Sequence, residues 1–414
     1  MKKNTQIKTK LIPKLRFKEF EDDWIKKKLG EISTKITDGT HDTPKKSKKG
    51  NVYLTAIHIK DGFIDYKNCY YLSDEEHNKI YRRCNPEKGD LLMVNIGAGT
   101  ATTALVEVEF EFSLKNVALI KPKHEIINSN FFSQVQRNNS FRLRHRLSSG
   151  GAQPFLSLKQ IGKLKLNIPS LQEQQKIATF LTAVDTKIQQ LTKKKTLLED
   201  YKKGVMQQLF SQQLRFKNDD GSSFPGWEEK RLGEVFKAER GKGISKGEVT
   251  EDGVNDCILY GELYTKYNEV IFEVISKTNS SYGLKSKIGD LLIPSSTTTT
   301  GIDLANVTAL NFENIRLGGD IIVLRGKEKI NNVFYAYYLS NYKKYQIASR
   351  AQGITIVHLY YSGIKDINID LPCFKEQQKI ARYLSAIDDK IANVQTQLEK
   401  TQTFKKGLLQ GLFV

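Results

Sequence analysis

The residues best suited to chemistry sit in three polar loops that occur twice. Thr37–Lys46 reads TDGTHDTPKK, runs on to Lys49, and is matched later by Arg240–Lys246, RGKGISK. A second pair follows a GDLL word: Gly97–Thr103 (GAGTATT) and Ser295–Gly301 (SSTTTTG). A third pair is Arg144–Gln153 (RHRLSSGGAQ) and Arg350–Thr355 (RAQGIT). Cations suit phosphates, while amides, hydroxyls and guanidinium groups can read base edges. In the first half the candidates for DNA contact are Thr40, His41, Thr43, Lys45, Lys46, Lys48, Lys49, Thr100, Thr102, Arg144, Arg146, Ser148, Ser149 and Gln153. In the second half they are Lys242, Ser245, Lys246, Thr297, Thr298, Thr299, Arg350, Gln352, Thr355 and His358. One Gly/Ser/Thr loop is an ordinary surface connection. The same composition at equivalent points of two copies points to nucleic acid.

No catalytic constellation accompanies these loops. There is no GxxxxGK[ST] phosphate loop, and GAGTATT lacks the strand–GxGxxG–helix setting of a dinucleotide site. An Asn/Asp-Pro-Pro-aromatic tetrad of the amino-methyltransferase type is absent. The 6 histidines (His41, His58, His77, His124, His145, His358) show neither HxxxH nor HExxH spacing. Cys69, Cys84, Cys257 and Cys373 form no CxxC pair, which predicts reduced thiols without a disulfide framework or zinc site. We therefore expect no metal, no cofactor and no catalytic residue in this chain.

Charge agrees with a polyanionic partner. The net charge is +19. Residues 1–170 hold 31 Lys/Arg against 18 Asp/Glu, whereas residues 211–373 balance to zero. A basic surface favours nucleic acid, with solubility as the plainer reading. No apolar run approaches the ~18 residues that span a bilayer, and the basic start lacks an apolar signal core, so a cytoplasmic protein without membrane contact is expected.

The elements that position the loops are duplicated too. EQQKIA spans Glu173–Ala178 and returns at Glu376–Ala381. Aligned without gaps, Pro169–Phe210 and Pro372–Phe413 are identical at 18 of 42 positions, too long a match for a chance motif. Upstream, LRFK, a tryptophan (Trp24, Trp227) and LGE also recur. The boundaries read 1–169 and 211–372 for two recognition domains with their leading segments, and 170–210 and 373–414 for two long helices. Short runs rich in β-branched and aromatic residues predict strands at Val52–Ile59, Phe63–Leu72, Asp90–Ile96, Thr103–Phe112, Asn116–Lys121 and Leu164–Ile168, with a helix at Asn130–Leu147. The second region repeats the layout, with strands at Gly289–Leu292, Asp320–Leu324 and Ile367–Leu371 and a helix near Val333–Ala348.

Ser170 with Glu173 forms a capping box, which Cys373 weakens in the second copy. Apolar residues then follow heptad spacing from Ile177 through Leu209 and from Ile380 through Leu412, broken at Lys195, Lys202, Thr401 and Lys405. Two such seams predict an antiparallel pair, each rod about 60 Å long at 1.5 Å per residue. Footprints about 10 bp apart on one duplex would follow. Gln174, Gln175, Lys176, Gln377, Gln378 and Lys379 are duplicated without a packing reason, so they are expected to face two copies of one partner. Descent from one ancestral unit is the alternative.

These motifs resemble the specificity (S) subunit of type I restriction–modification systems. The residues carrying the resemblance are LRF…W…LGE, the TDGTHDTP loop before a Tyr-Leu-Thr strand, and EQQKIA…KKGxxQxLF. It implies an α+β fold: two strand-rich α/β target-recognition domains in a tandem pseudo-two-fold repeat, joined by two long helices in an antiparallel coiled coil. It implies a non-catalytic subunit that reads an asymmetric bipartite site on double-stranded DNA. Two methyltransferase (M) subunits would dock on it, and two restriction (R) subunits would join through M. S-adenosylmethionine, ATP and Mg would be bound by those partners, for adenine-N6 methylation and ATP-dependent cleavage. A lone nuclease and a peptide-binding scaffold are competing classes.

Overall fold

The computed structural model describes residues 11–147 and 154–414. The chain divides into two units. One takes in residues up to Thr192 together with Thr396–Val414, and the other is Lys193–Gln395. Both cuts fall inside the long helices, Leu171–Phe210 and Phe374–Leu412. Each unit thus combines one strand-rich region with the first half of one helix and the second half of the other.

The same sheet recurs in each unit. In the first, the strand order is Ser33–Asp38, Val117–Pro122, Leu91–Val94, Thr103–Leu105, all antiparallel. In the second it is Phe236–Arg240, Ile321–Gly326, Asp290–Pro294, Thr308–Leu310, again antiparallel. The strands Leu91–Val94 and Asp290–Pro294 are buried throughout and largely apolar because both faces are covered. Side chains alternate along a strand. Leu91 and Met93 therefore join a core with the helix Ser129–Leu147, while Leu92 and Val94 face a second core. Leu291 and Ile293 are divided from Leu292 in the same way. A smaller sheet with a parallel pair lies beside each: Asn51–Thr55 with Phe112–Lys115, and Asn255–Ile258 with Arg316–Leu317. A two-stranded ribbon joins the leading segment to the strand before the long helix, Ile25–Lys28 with Lys165–Ile168 and Glu228–Arg231 with Asn368–Leu371.

Local differences from expectation have local causes. Phe63–Leu72 is two strands, Phe63–Ile64 and Tyr70–Leu72, because the Asp65 carboxylate accepts from the Lys67 and Asn68 amides and turns the chain. Thr103–Phe112 likewise splits into Thr103–Leu105 and Phe112–Lys115. A helix at Asp74–Cys84 was not anticipated. Ser73 caps it, acids fill its first turn, Arg82 and Arg83 its last, and Asn85 ends it in the left-handed region at φ 38°. In the second unit the helix from Asn332 passes through a π-helical turn at Tyr338–Tyr342.

The starts of the long helices require the larger correction. Ser170 Oγ accepts from the Glu173 amide at 3.4 Å, as a cap should. The Glu173 carboxylate does not turn back. It accepts from Arg16 Nε (2.9 Å) and Nη2 (2.8 Å) and from Trp24 Nε1 (3.3 Å). Glu376 does the same with Arg215 (3.1 and 2.8 Å) and Trp227 (2.9 Å). Their side chains are 1% and 0% exposed. A carboxylate so buried must be paired. LRF…W and EQQ are the two jaws of one clasp.

Gln174 and Gln377 are not exposed either. Gln174 accepts from the Asn128 amide and donates to the Ile126 and Pro169 carbonyls. Gln377 accepts from the Asn331 amide and donates to Pro372. At 0% and 2% exposure they have no surface to offer a partner, and their duplication has a packing reason. Gln175 and Gln378 are exposed. Lys176 pairs with Glu19, and Lys379 with Asp219 at 2.6 Å.

The seam residues are buried as the heptads require, among them Ile177, Leu181, Leu191, Leu209, Ile380, Leu384, Val394 and Leu412. Lys195 pairs with Glu199 along its own helix at 3.5 Å, and two other interruptions make ion pairs beyond their own helix. In the first unit Lys405 meets Asp185; in the second Lys202 meets Asp388 at 2.8 Å and Glu269 at 3.2 Å. Within each unit the early half of one long helix lies beside the late half of the other, so the helices pack antiparallel.

Candidate nucleic-acid interface

Strand register brings the loops to one edge. In the first central sheet Ala118 faces Asp38, and Val117 faces Val94. The first and second loops therefore leave the sheet on either side of where Val117–Pro122 begins. In the second unit Arg240 faces Ile322 and Pro294 faces Ile321, which gives the same edge.

The first loop is pinned by close backbone contact. The Thr40 amide donates to Leu114 O (2.9 Å), and the Asn116 amide to Thr40 O (3.2 Å). The counterparts are Lys242 N to Leu317 O (3.2 Å) and Gly319 N to Gly243 O (2.8 Å). A Cβ on Gly39 would lie 2.0 Å from Leu114 O, and one on Gly241 1.9 Å from Gly318 O, so only glycine fits. His41 is held between Asn116 (2.9 Å) and Asp38 (3.1 Å), and the Thr43 hydroxyl accepts from Lys115. Lys46 lies over the Tyr70 ring at 3.2 Å. Lys45, Lys48 and Lys49 are exposed, with no ion pair among the described residues. In the second unit Lys242 and Lys246 are exposed in the same way. The Ser245 amide and hydroxyl both donate to Glu248, whose carboxyl they hold below its usual range.

The second and third loops touch. Gly97 N donates to Pro154 O (2.9 Å), and Thr100 Oγ1 donates to both Gly97 O and Pro154 O. Thr102 accepts from Arg144 Nη1 at 3.1 Å. In the second unit Ser296–Thr297 pairs with Val357–His358, and a two-way backbone bridge joins Gln352 to His358. Thr100, Thr102 and Thr297 are buried and commit their hydroxyls inside, so the expectation that they meet DNA is corrected: they hold the loops. Thr299 donates to Asp303; Thr298, Arg350, Gln352 and Thr355 are exposed, and His358 is half-buried and stacked on Tyr360. Arg146 is exposed at the last turn of its helix. Ser148, Ser149 and Gln153 lie outside the described residues.

Sequence reasoning passed over the apolar tip of the last loop. Ile354 is 99% exposed and Ile356 49%, between Gln352 and His358. Apolar side chains there can contact a thymine methyl group. Their signal was an ITI run inside a Gly-flanked polar loop.

The comparisons decide the family. The sequence model of the type I restriction modification DNA specificity domain matches this chain twice, over residues 21–200 and 225–402. The chain belongs to the type I restriction–modification specificity family. It is 25% identical over 372 residues to the MjaVIII specificity subunit of a type I restriction enzyme from Methanocaldococcus jannaschii, covering 85% of each chain. The fold is that of the S subunit from M. genitalium: TM-score 0.62, 16% identity, covering 97% of this chain and 99% of that one. A chain from a structure addressing complex assembly and conformational transition of the type I R-M system matches at TM-score 0.54 and 17% identity, over 94% and 95%. Each match covers one strand-rich region and most of the long helix that follows it. Among the described residues no group of His, Cys, Asp or Glu is arranged to hold a metal, and no helix is long and apolar enough to cross a membrane.

Proposed function

We propose that this chain is the non-catalytic DNA-reading subunit of a type I complex, and that each unit reads one half of an asymmetric bipartite site. The observation that carries the reading is the repeated edge. The same strand order delivers three loops to the same place twice, with different side chains each time. One scaffold with two loop sets suits two different half-sites. The long helices set the spacer between them. Methyltransferase subunits dock on the chain, restriction subunits join through them, and S-adenosylmethionine, ATP and Mg belong to those partners. A cytoplasmic location follows, where host DNA is present. The domain boundaries at 169, 210 and 372 are retained as the working division into recognition and spacer segments.

Sequencing modified adenines in DNA methylated by the assembled complex tests this. The expected result is one bipartite motif, with two fixed halves and a constant gap. Methylation of adenines without such a motif would overturn the reading. Adding one helical turn, about 4 residues, to each long helix should change the gap and leave both halves intact.

A further inference from the structure

Beside the recognition edge, the first unit carries a groove of about 450 Å³. The helix Ser129–Leu147 turns Arg142 and Arg146 into it, spaced i and i+4 on one face. Lys26 enters from one ribbon strand, Lys165 from its partner strand, and Lys163 from just before it. All five cations are exposed, and none makes an ion pair among the described residues. No acidic side chain lines the groove, whose wall extends to Val414. Gln136, 1% exposed, also lines it, with its Oε1 unpaired and its Nε2 donating to Ser140 Oγ at 3.3 Å. Turned over, the same amide accepts from Ser140 and offers N–H to the groove. Five unpaired cations above a buried amide suit an anion. Arg146 also belongs to the third loop, so the groove is continuous with the recognition edge.

The same place in the second unit has the opposite character. The ribbon register puts Glu229 where Lys26 stands, Asp366 for Lys163 and Asn368 for Lys165. There the charges are satisfied internally: Arg231 pairs with Asp366 at 3.4 Å, and Asn368 donates to Glu229 at 3.0 Å.

We infer that the groove of the first unit binds the phosphate backbone of duplex DNA, and that the first unit supplies most of the salt-dependent affinity. The inference rests on the DNA-reading role proposed above. Phosphate contacts add no sequence preference but steepen the salt dependence, by about 0.9 in log–log slope per contact. Continuity with the recognition edge favours DNA over an acidic protein surface.

The test is binding of the full chain, with its methyltransferase partner, to its own site and to a mixed-sequence duplex across a salt series. Lys26→Ala/Arg142→Ala/Lys163→Ala should flatten the slope by about 2.7 on both duplexes, leaving the preference between them unchanged. The groove reading is overturned by an unchanged slope, by a lost preference at constant slope, or by lost association with the methyltransferase at constant slope. Glu229→Lys/Asp366→Lys in the second unit should steepen the slope. Far-ultraviolet circular dichroism confirms that each variant is folded. A wild-type complex that prefers neither duplex defeats the DNA-reading role instead, while the slope on the mixed duplex still reports on the groove.

Discussion

Replacing Arg16 by Met probes the clasp that starts the first long helix. The substitution leaves the Glu173 carboxylate in a site 1% exposed, with one side-chain donor, Trp24 Nε1 at 3.3 Å. Removing one partner of a buried pair costs about 3–5 kcal/mol. Arg16 is itself 11% exposed, so some water reaches the pair and the lower end, about 3 kcal/mol, applies. Glu173→Gln is milder. It keeps an oxygen for Trp24 and leaves Arg16 its bond to the Asp22 carbonyl, so the loss is about 1.5 kcal/mol, the scale of one hydrogen bond to a charged group. The double variant removes the stranded charge and should be more stable than Arg16→Met alone. Urea unfolding gives the energies, and hydrogen exchange of the peptide spanning Leu15 to Trp24 locates them. At about 2–4 °C per kcal/mol for a unit of this size, Arg16→Met should lower Tm by roughly 6–12 °C. A loss under about 1 kcal/mol, the scale of a surface ion pair, would refute the clasp. So would a double variant weaker than Arg16→Met.

Gln377→Leu strips the Asn331 amide and the Pro372 carbonyl of their partner and should cost about 1–3 kcal/mol per orphaned group, with association of the folded chain with its methyltransferase unchanged in pull-down. Lys405→Met should destabilise the first unit by about 1–2 kcal/mol, reduced from the buried-pair figure because Asp185 is 26% exposed; adding Asp185→Asn should recover most of it in thermal unfolding. Ile354→Asp should leave stability within about 0.5 kcal/mol, since the side chain touches little, yet weaken DNA binding in gel-shift titration; unchanged affinity would remove that loop tip from the interface.

The repeat and the seam were legible in the sequence because both are periodic. Ile177 to Leu209 and Ile380 to Leu412 carry the heptad, and packing follows it. The loop edge was legible only as composition. Thr100 and Thr297 are threonines like Thr298, and nothing in the letters tells which hydroxyl turns inward; that depends on Pro154 and on the strand Val357–His358, far along the chain. The groove cations were invisible for the same reason. Lys26, Arg142 and Lys163 come from three separated segments, and only the ribbon register and the helix face gather them. The helix Asp74–Cys84 was missed although its cap, acidic first turn and basic last turn were all present.

The clasp changes what the duplication means. EQQKIA looked like a surface kept twice for a partner, but its glutamate and first glutamine are among the most buried polar residues of each unit. The glutamate holds the arginine and tryptophan of the leading segment; the glutamine holds the backbone just before the domain's own helix, at Asn128 and Asn331. Arg215 and Glu376 repeat Arg16 and Glu173 because the junction of leading segment, recognition domain and long helix must close in the same way in both copies. Nothing at that junction restricts the loops at the far ends of the strands. A scaffold that fixes the junction and frees the loops can carry GAGTATT in one copy and SSTTTTG in the other, and a basic groove in one where the other places Glu229 and Asp366. Each half can then differ in what it reads and in how strongly it holds DNA without any change to the helices between them.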